Sequence, residues 1–233
     1  MNIIAIIPAR GGSKRIPRKN IKNFMGYPII SYGIKAAIES KLFDRVMVST
    51  DDAEIAAIAQ KYGAEVPFLR SKKASDDNAT TFDVIDEVMR QYKKQGEEFT
   101  KFCCIYPCAP FVTAKMLGKA NILFNDYDAV MPVCKYPAPV EWAMNIEKSC
   151  LRPVDRVAKN MRSQDIAEKY YDVGMFYFCK TRAMYQFNSL IPNSTAALVL
   201  REDECQDIDT ALDWRHAELK YKALQNIECD MVL

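Results

Sequence analysis

A chain of 233 residues fits one generous α/β domain or two very small ones, and can bury a sizeable core. Hydrophobic residues at 49% and charged residues at 27% are those of an ordinary globular protein. The net charge of +2 excludes reading a partner from bulk charge, so only local clusters speak about ligands.

The eight cysteines contain no CxxC pair, and the chain has one histidine, His216, so a Cys/His zinc site is poorly supplied with ligands. Cysteines inside apolar runs, such as Phe102-Cys103-Cys104-Ile105 and Tyr177-Phe178-Cys179, read as small buried hydrophobes of a reducing compartment. The opening Met1 to Pro8 is apolar but short and lacks a basic leader, and no later run approaches a membrane span. A cytoplasmic location is expected, with neither a membrane nor a nucleic acid as partner.

In chain order, Ile3–Ile7 is a short, continuously apolar, β-branched run, as in a central parallel strand buried on both faces. A glycine- and lysine-rich loop follows to about Tyr27. Ile29, Ile30, Tyr32, Gly33, Ala36 and Ala37 then share one helical face. Val46–Ser49 predicts a strand, and Asp51-Asp52-Ala53-Glu54 opens a helix that stops near Tyr62-Gly63. Helices are expected over Phe82–Tyr92 and Lys115–Phe124, and strands over Phe102–Tyr106 and Ala129–Val133. This alternation implies a mostly parallel sheet covered on both faces. Between Lys135 and Tyr170 the pattern breaks, as in an insertion serving as a lid or a dimer contact. Strands Val173–Cys179 and Ala196–Leu200 and a helix from Asp209 to about Ala223 close a single domain.

Ligands of open parallel sheets sit beyond the carboxyl ends of the strands, where residues 8 to 20 begin. Gly11-Gly12 lets the backbone approach a ligand, Ser13 adds a hydroxyl, and Arg10, Lys14, Arg15, Arg18 and Lys19 place five cations within ten residues. That density suits a triphosphate. The stretch matches neither GxxxxGK[ST] nor GxGxxG, and the rival reading is a merely solvated basic loop. Near the C-terminus, Asp207 and Asp209 flank Ile208, so in an extended segment both carboxylates face one site, as a Mg²⁺ centre completed by phosphate oxygens and water requires. Equally, Asp209 can be a helix N-cap, with Asp213 favoured in the first turn by the helix dipole.

The run Ile7-Pro8-Ala9-Arg10-Gly11-Gly12-Ser13-Lys14-Arg15-Ile16-Pro17-Arg18-Lys19-Asn20 resembles the N-terminal signature of the CMP-sialic acid synthetase family of cytidylyltransferases. The resemblance extends along nearly the whole chain. It implies a nucleotide-diphosphosugar-transferase-like (Rossmann-like) α/β fold, a homodimer, and CTP and an acidic nine-carbon sugar as substrates. It also implies that Ala9, Arg10, Gly12, Ser13, Lys19 and Asn20 contact CTP, with Arg10 and Lys19 on the phosphates. Phe68-Leu69-Arg70, Ser75-Asp76-Asp77 and Thr80-Thr81 resemble the family's base-recognition stretch, which puts Arg70 and Thr81 at or beside the cytosine. Unaided, Arg70 reads as a surface ion pair and Thr81 as a helix N-cap. The family's DxD metal motif falls on Asp207 and Asp209, which moves that pair to the Mg²⁺ reading, with another divalent cation as substitute.

Two departures concern the sugar. Where sialic-acid enzymes of the family carry Gln-Pro-Thr-Ser-Pro, this chain has Tyr106-Pro107-Cys108-Ala109-Pro110, and a frequent Asn-Gly is replaced by Asp172-Val173-Gly174-Met175-Phe176-Tyr177. Both resemble the pseudaminic acid branch. That sugar presents fewer hydroxyls and more apolar surface, which an aromatic at 106 and the apolar Met175 would suit. Tyr106 and Asp172, with Gln164 of the insertion reaching toward a partner's site, are the implied sugar contacts, whereas Phe176 and Phe178 read as core. The implied reaction is attack of the anomeric hydroxyl on the α-phosphorus of CTP, releasing pyrophosphate, with Asp207, Asp209, Lys19 and Arg10 carrying the chemistry. The rivals are the same chemistry on sialic or legionaminic acid, another sugar nucleotidyltransferase, or a nucleotide-binding regulator without catalysis.

Overall fold

The computed structural model describes residues 2–230. A seven-stranded sheet is built from β1 (Ile3–Pro8), β2 (Arg45–Ser49), β3 (Lys101–Ile105), β4 (Ala129–Lys135), β5 (Tyr170–Asp172), β6 (Phe176–Lys180) and β7 (Thr195–Leu200). Its order is β7-β4-β6-β3-β1-β2, with β5 also paired to β4. Strands β1 to β4 and β7 run the same way, and β5 and β6 oppose them. The expected parallel sheet is therefore present with a reversed segment inside it.

That segment is one interrupted strand. Both β5 and β6 lie along the same edge of β4, β5 against Val133–Lys135 and β6 against Ala129–Val130. The break falls at Val173–Met175, where Gly174 has φ +62, a conformation open to glycine. The single strand expected over Val173–Cys179 thus begins later and is preceded by a separate short one.

Among the described residues, seven α-helices accompany the sheet: α1 (Ile30–Ser40), α2 (Ala53–Lys61), α3 (Lys72–Ser75), α4 (Thr81–Lys94), α5 (Ala114–Phe124), α6 (Thr181–Phe187) and α7 (Ala211–Asp230). Alternation along β1 divides the core. Ile3, Ala5 and Ile7 face one layer with Ile34 of α1, Ile55 of α2, Leu117 of α5 and Trp214 of α7. Ile4 and Ile6 face the other, with Ile85, Val88, Met89 and Tyr92 of α4 and Met184 of α6. The α4 residues recur at helical spacing, which buries one stripe and leaves its charged face in water. Short α3 and α6 carry too few apolar residues to be legible by period.

Asp52 caps α2 by accepting the amides of Glu54 and Ile55, and Gly63 at φ +95 follows that helix as its stop. The insertion carries a hairpin, Met144–Glu147 with Cys150–Pro153, turned through Lys148 and Ser149 at φ 47 and 68. Cys103, Cys104, Cys134, Cys179 and Cys205 are buried free thiols, whereas Cys150 on the hairpin is exposed. Among the described residues, no helix is long and apolar enough to cross a membrane.

Candidate active site

Beyond the carboxyl end of β1 lies a cavity of about 540 Å³. The basic loop (Arg10, Ser13, Lys14, Arg15, Lys19, Asn20) forms one wall, and Gly174, Asp207, Ile208 and Asp209 form the other. A smaller cavity of about 230 Å³ adjoins it, bounded by Arg70, Thr81 and Tyr106; Pro8, Arg10 and Tyr106 line both. A larger surface groove of about 730 Å³ between α3 and α4 has none of these residues in its lining.

The loop is braced from beneath. Arg18, at φ 54, forms a two-pronged ion pair with Asp52 at 2.5 and 3.0 Å and a further pair with Glu54. It faces α2 and not the cavity, so four of the five expected phosphate cations remain on the site. Gly11 donates its amide to Asp51 at 2.9 Å, and a Cβ there would lie 2.8 Å from an Asp52 oxygen. Its glycine is thus required by the protein's own carboxylate, whereas Gly12 has open space around it. Ala9 is wholly buried and its amide donates to Ser49, so its side chain offers nothing to a ligand. Asn20 is 5% exposed and is engaged twice, donating to the Arg10 carbonyl at 2.9 Å and accepting from the Cys108 thiol at 3.2 Å. Sequence reasoning passes over Cys108, whose thiol burial pushes up to about 12.

Each remaining loop cation meets a carboxylate. Arg10 pairs with Asp77 at 2.9 Å, and Lys14 pairs with the same group. Arg15 holds Asp209 at 2.8 Å, and Lys19 lies 3.4 Å from Asp209 while donating to the Ile208 carbonyl at 2.7 Å. A polyphosphate entering here would replace these exposed pairs, which are individually weak.

The capping alternative for Asp209 does not hold. Thr210 caps α7, in a reciprocal pair with Asp213: the Asp213 amide donates to the Thr210 hydroxyl at 3.3 Å, and the Thr210 amide to the Asp213 carboxylate at 2.7 Å. That leaves the Asp209 side chain on the cavity and employs Asp213 elsewhere. Asp207 is solvent-exposed and stands against Gly174, whose added Cβ would lie 3.4 Å from its carboxyl carbon. Partial desolvation by the cavity wall, and next the charge of Asp209, hold its pKa above the ordinary carboxylate value. Among the described residues no group of three or more His, Cys, Asp or Glu is placed to hold a metal. Two adjacent carboxylates facing a phosphate-sized space fit a hard divalent cation that takes its other oxygens from phosphate and water.

The same one-residue displacement occurs at α4. Thr80, not Thr81, is the N-cap, in a capping box with Asp83. Thr81 turns inward, 3.1 Å from the Tyr106 hydroxyl. Arg70 is not a surface ion pair either: it is 8% exposed, donates to the Ser49 hydroxyl at 3.0 Å and carbonyl at 2.5 Å, and burial lowers its pKa.

The sugar-side expectations meet a different geometry. Asp172 is absent from the lining of both cavities and uses its two oxygens on the Gly174 amide and the Tyr177 hydroxyl. Met175 is wholly buried in the core with Phe176 and Phe178, because the break at Gly174 turns it inward. Gln164 lies in the insertion on a separate groove with Lys135 and Tyr136, outside this chain's own cavity.

A mixed, mostly parallel α/β sheet whose strand ends carry a basic glycine loop opposite paired carboxylates is the arrangement of a nucleotidyltransferase. The cytidylyltransferase family profile matches residues 4–189. A pseudaminic acid cytidylyltransferase from Campylobacter jejuni is 37% identical over 95% of this chain and 97% of that protein. The CMP-N,N'-diacetyllegionaminic acid synthase of Legionella pneumophila is 28% identical over 94% and 95%. Among solved structures, CMP:2-keto-3-deoxy-manno-octonic acid synthetase complexed with CTP superposes with a TM-score of 0.69 at 15% identity, covering 98% of this chain and all of that one, a likeness of fold. The chain belongs to the cytidylyltransferase family.

Proposed function

We propose that the chain transfers CMP from CTP to the anomeric hydroxyl of a nonulosonic acid, pseudaminic acid before its relatives, with release of pyrophosphate. The observation that carries this reading is the cavity in which Arg10, Lys14, Arg15 and Lys19 face Asp207 and Asp209. The choice of sugar is supported by the name of the Campylobacter jejuni relative and by Tyr106 on the cavity wall.

In this mechanism Arg10 and Lys19 bind the triphosphate and stabilise charge developing on the departing pyrophosphate. The loop fixes the α-phosphorus in line with the sugar hydroxyl, a positioning contribution. Asp207 and Asp209 would hold a divalent cation, Mg²⁺ by preference, and such an ion would supply neutralisation of phosphate charge. Arg70 and Thr81 enclose the cytosine in the smaller cavity. The enzyme works in the cytoplasm as a homodimer, its insertion carrying Gln164 toward the partner's sugar.

Pyrophosphate release measured with CTP and each of pseudaminic, legionaminic and sialic acid tests the reading. The highest kcat/KM is expected for pseudaminic acid. A higher value for either of the others reassigns the sugar, and no release with any favours a regulator without catalysis. In single turnover, Asp209→Asn is expected to lose nearly all chemistry while retaining CTP binding; unchanged turnover would remove Asp209 from the mechanism.

A further inference from the structure

Two segments far apart in sequence leave the sheet side by side. β1 and β3 pair in parallel, with Ile6 opposite Cys104, so the basic loop after β1 and the turn after β3 emerge at the same end. The basic loop is closed at its base where the Asn20 carboxamide donates to the Arg10 carbonyl at 2.9 Å. A backbone carbonyl only accepts, so the NH₂ of Asn20 faces Arg10 and its oxygen faces the other way. There it meets the Cys108 thiol at 3.2 Å, and with an amide oxygen opposite it the thiol must be the donor. Burial keeps that sulfur protonated. Asn20 is 5% exposed, so water is a poor substitute for the thiol. Cys108 is itself held in place: the Ala109 amide donates to the Tyr106 carbonyl at 3.3 Å, and the Tyr106 amide to the Met175 carbonyl at 2.8 Å. The thiol lines the main cavity, but its one proton is spent on Asn20.

We infer that Cys108 is a positioning residue for the nucleotide, whose thiol latches the Asn20 carboxamide and through it the Arg10-Gly11-Gly12 backbone of the phosphate loop. The two glycines give that stretch the greatest backbone freedom in the loop, which is where a latch has most effect. Without the thiol the carboxamide is free to turn, and the Arg10 carbonyl loses its fixed donor. The binding-competent loop then becomes a fraction of the population, and apparent affinity falls by that fraction while the chemistry of bound nucleotide does not. The inference rests on the cytidylyltransferase reading, but it concerns the shape of the loop and not the base or the sugar.

Calorimetric titration of the full chain with CTP reads the latch without needing the sugar. Cys108→Ala removes the donor and is expected to raise the Kd for CTP about tenfold, with kcat within about twofold of the wild type. Cys108→Ser restores a donor and is expected to stay within about threefold of the wild-type Kd. In a chain already carrying Asn20→Ala, Cys108→Ala is expected to add less than about twofold, because the two side chains act as one unit. Cys108→Val, which fills the space without a donor, takes over should the alanine variant fail to fold. A thiol with a merely structural role would lower the melting temperature and the fraction of chains that bind, and leave Kd unmoved. That result, a serine variant as weak as the alanine one, or full additivity with Asn20→Ala would overturn the inference. A wild type that binds CTP but releases no pyrophosphate with any nonulosonic acid would instead sink the proposed activity and leave the latch standing.

Discussion

Thr80 and Thr81 are neighbours of identical chemistry put to different uses, and the difference is measurable. Thr80 accepts the Asp83 amide and closes the first turn of α4, so Thr80→Ala should cost about 1 kcal/mol of stability with CTP affinity kept. Thr81 faces Tyr106, so Thr81→Val should leave the melting temperature close to the wild type and raise the KM for CTP several-fold. Thermal melts beside steady-state kinetics separate the two, and a Thr80 variant impaired in KM alone would refute the division. The distinction is not legible in sequence, because either threonine of the pair can cap and only the phase of the helix decides. The same shift separates Thr210, which caps α7, from Asp209, which is thereby left for the cavity. Arg70 fails to announce itself for another reason. Its burial depends on packing against Ser49 at the end of a strand distant in sequence.

At the scale of elements, the basic loop shows what local composition conveys and what it hides. Glycines and cations after a first apolar strand are enough to expect an anion site there, and the loop does line the main cavity. Its internal division of labour is hidden, since Arg18 differs from Arg10 only in which element it reaches. The clasp of Arg18 on Asp52 holds that carboxyl at about 2, chiefly through the hydrogen bond from Arg18, against the opposing effect of burial. A carboxyl whose folded pKa is depressed stabilises the fold above its unfolded value of 3.8, and that contribution is lost as pH falls toward about 2. Arg18→Ala is therefore expected to cost about 1 kcal/mol at neutral pH, discounted for partial exposure, and to flatten the fall in stability between pH 4 and pH 2. Denaturant titrations across that window check it, and an unaltered acid limb would dissociate Arg18 from Asp52. The reversal of β5 and β6 is hidden in the same way. An apolar strand reads alike in either direction, and only the chain path through the insertion sets its sense.

At the scale of the whole molecule, the insertion is the part whose surface does not suit a lone chain. Trp142, Met144, Ile146, Leu151, Val154, Val157 and Met161 are exposed large apolar residues within one short stretch, and Ile146 and Leu151 are directly paired across its hairpin at 76% and 65% exposure. Monomers rarely present contiguous apolar surface of this kind, and a two-fold pair of like chains is the commonest way to cover it. In the proposed homodimer this face is the contact. Because both side chains already meet water in the single chain, Ile146→Glu with Leu151→Glu removes little from the protomer's own core. Sedimentation should then report half the wild-type mass, with a melting transition that no longer depends on protein concentration. Gln164 lies on the same insertion and outside its own chain's cavity, so the separated protomer should bind CTP normally and show a raised KM for the sugar. A variant that stays dimeric would move the interface elsewhere. A monomer with unchanged sugar kinetics would show that each chain completes its own site, and would remove Gln164 from sugar recognition.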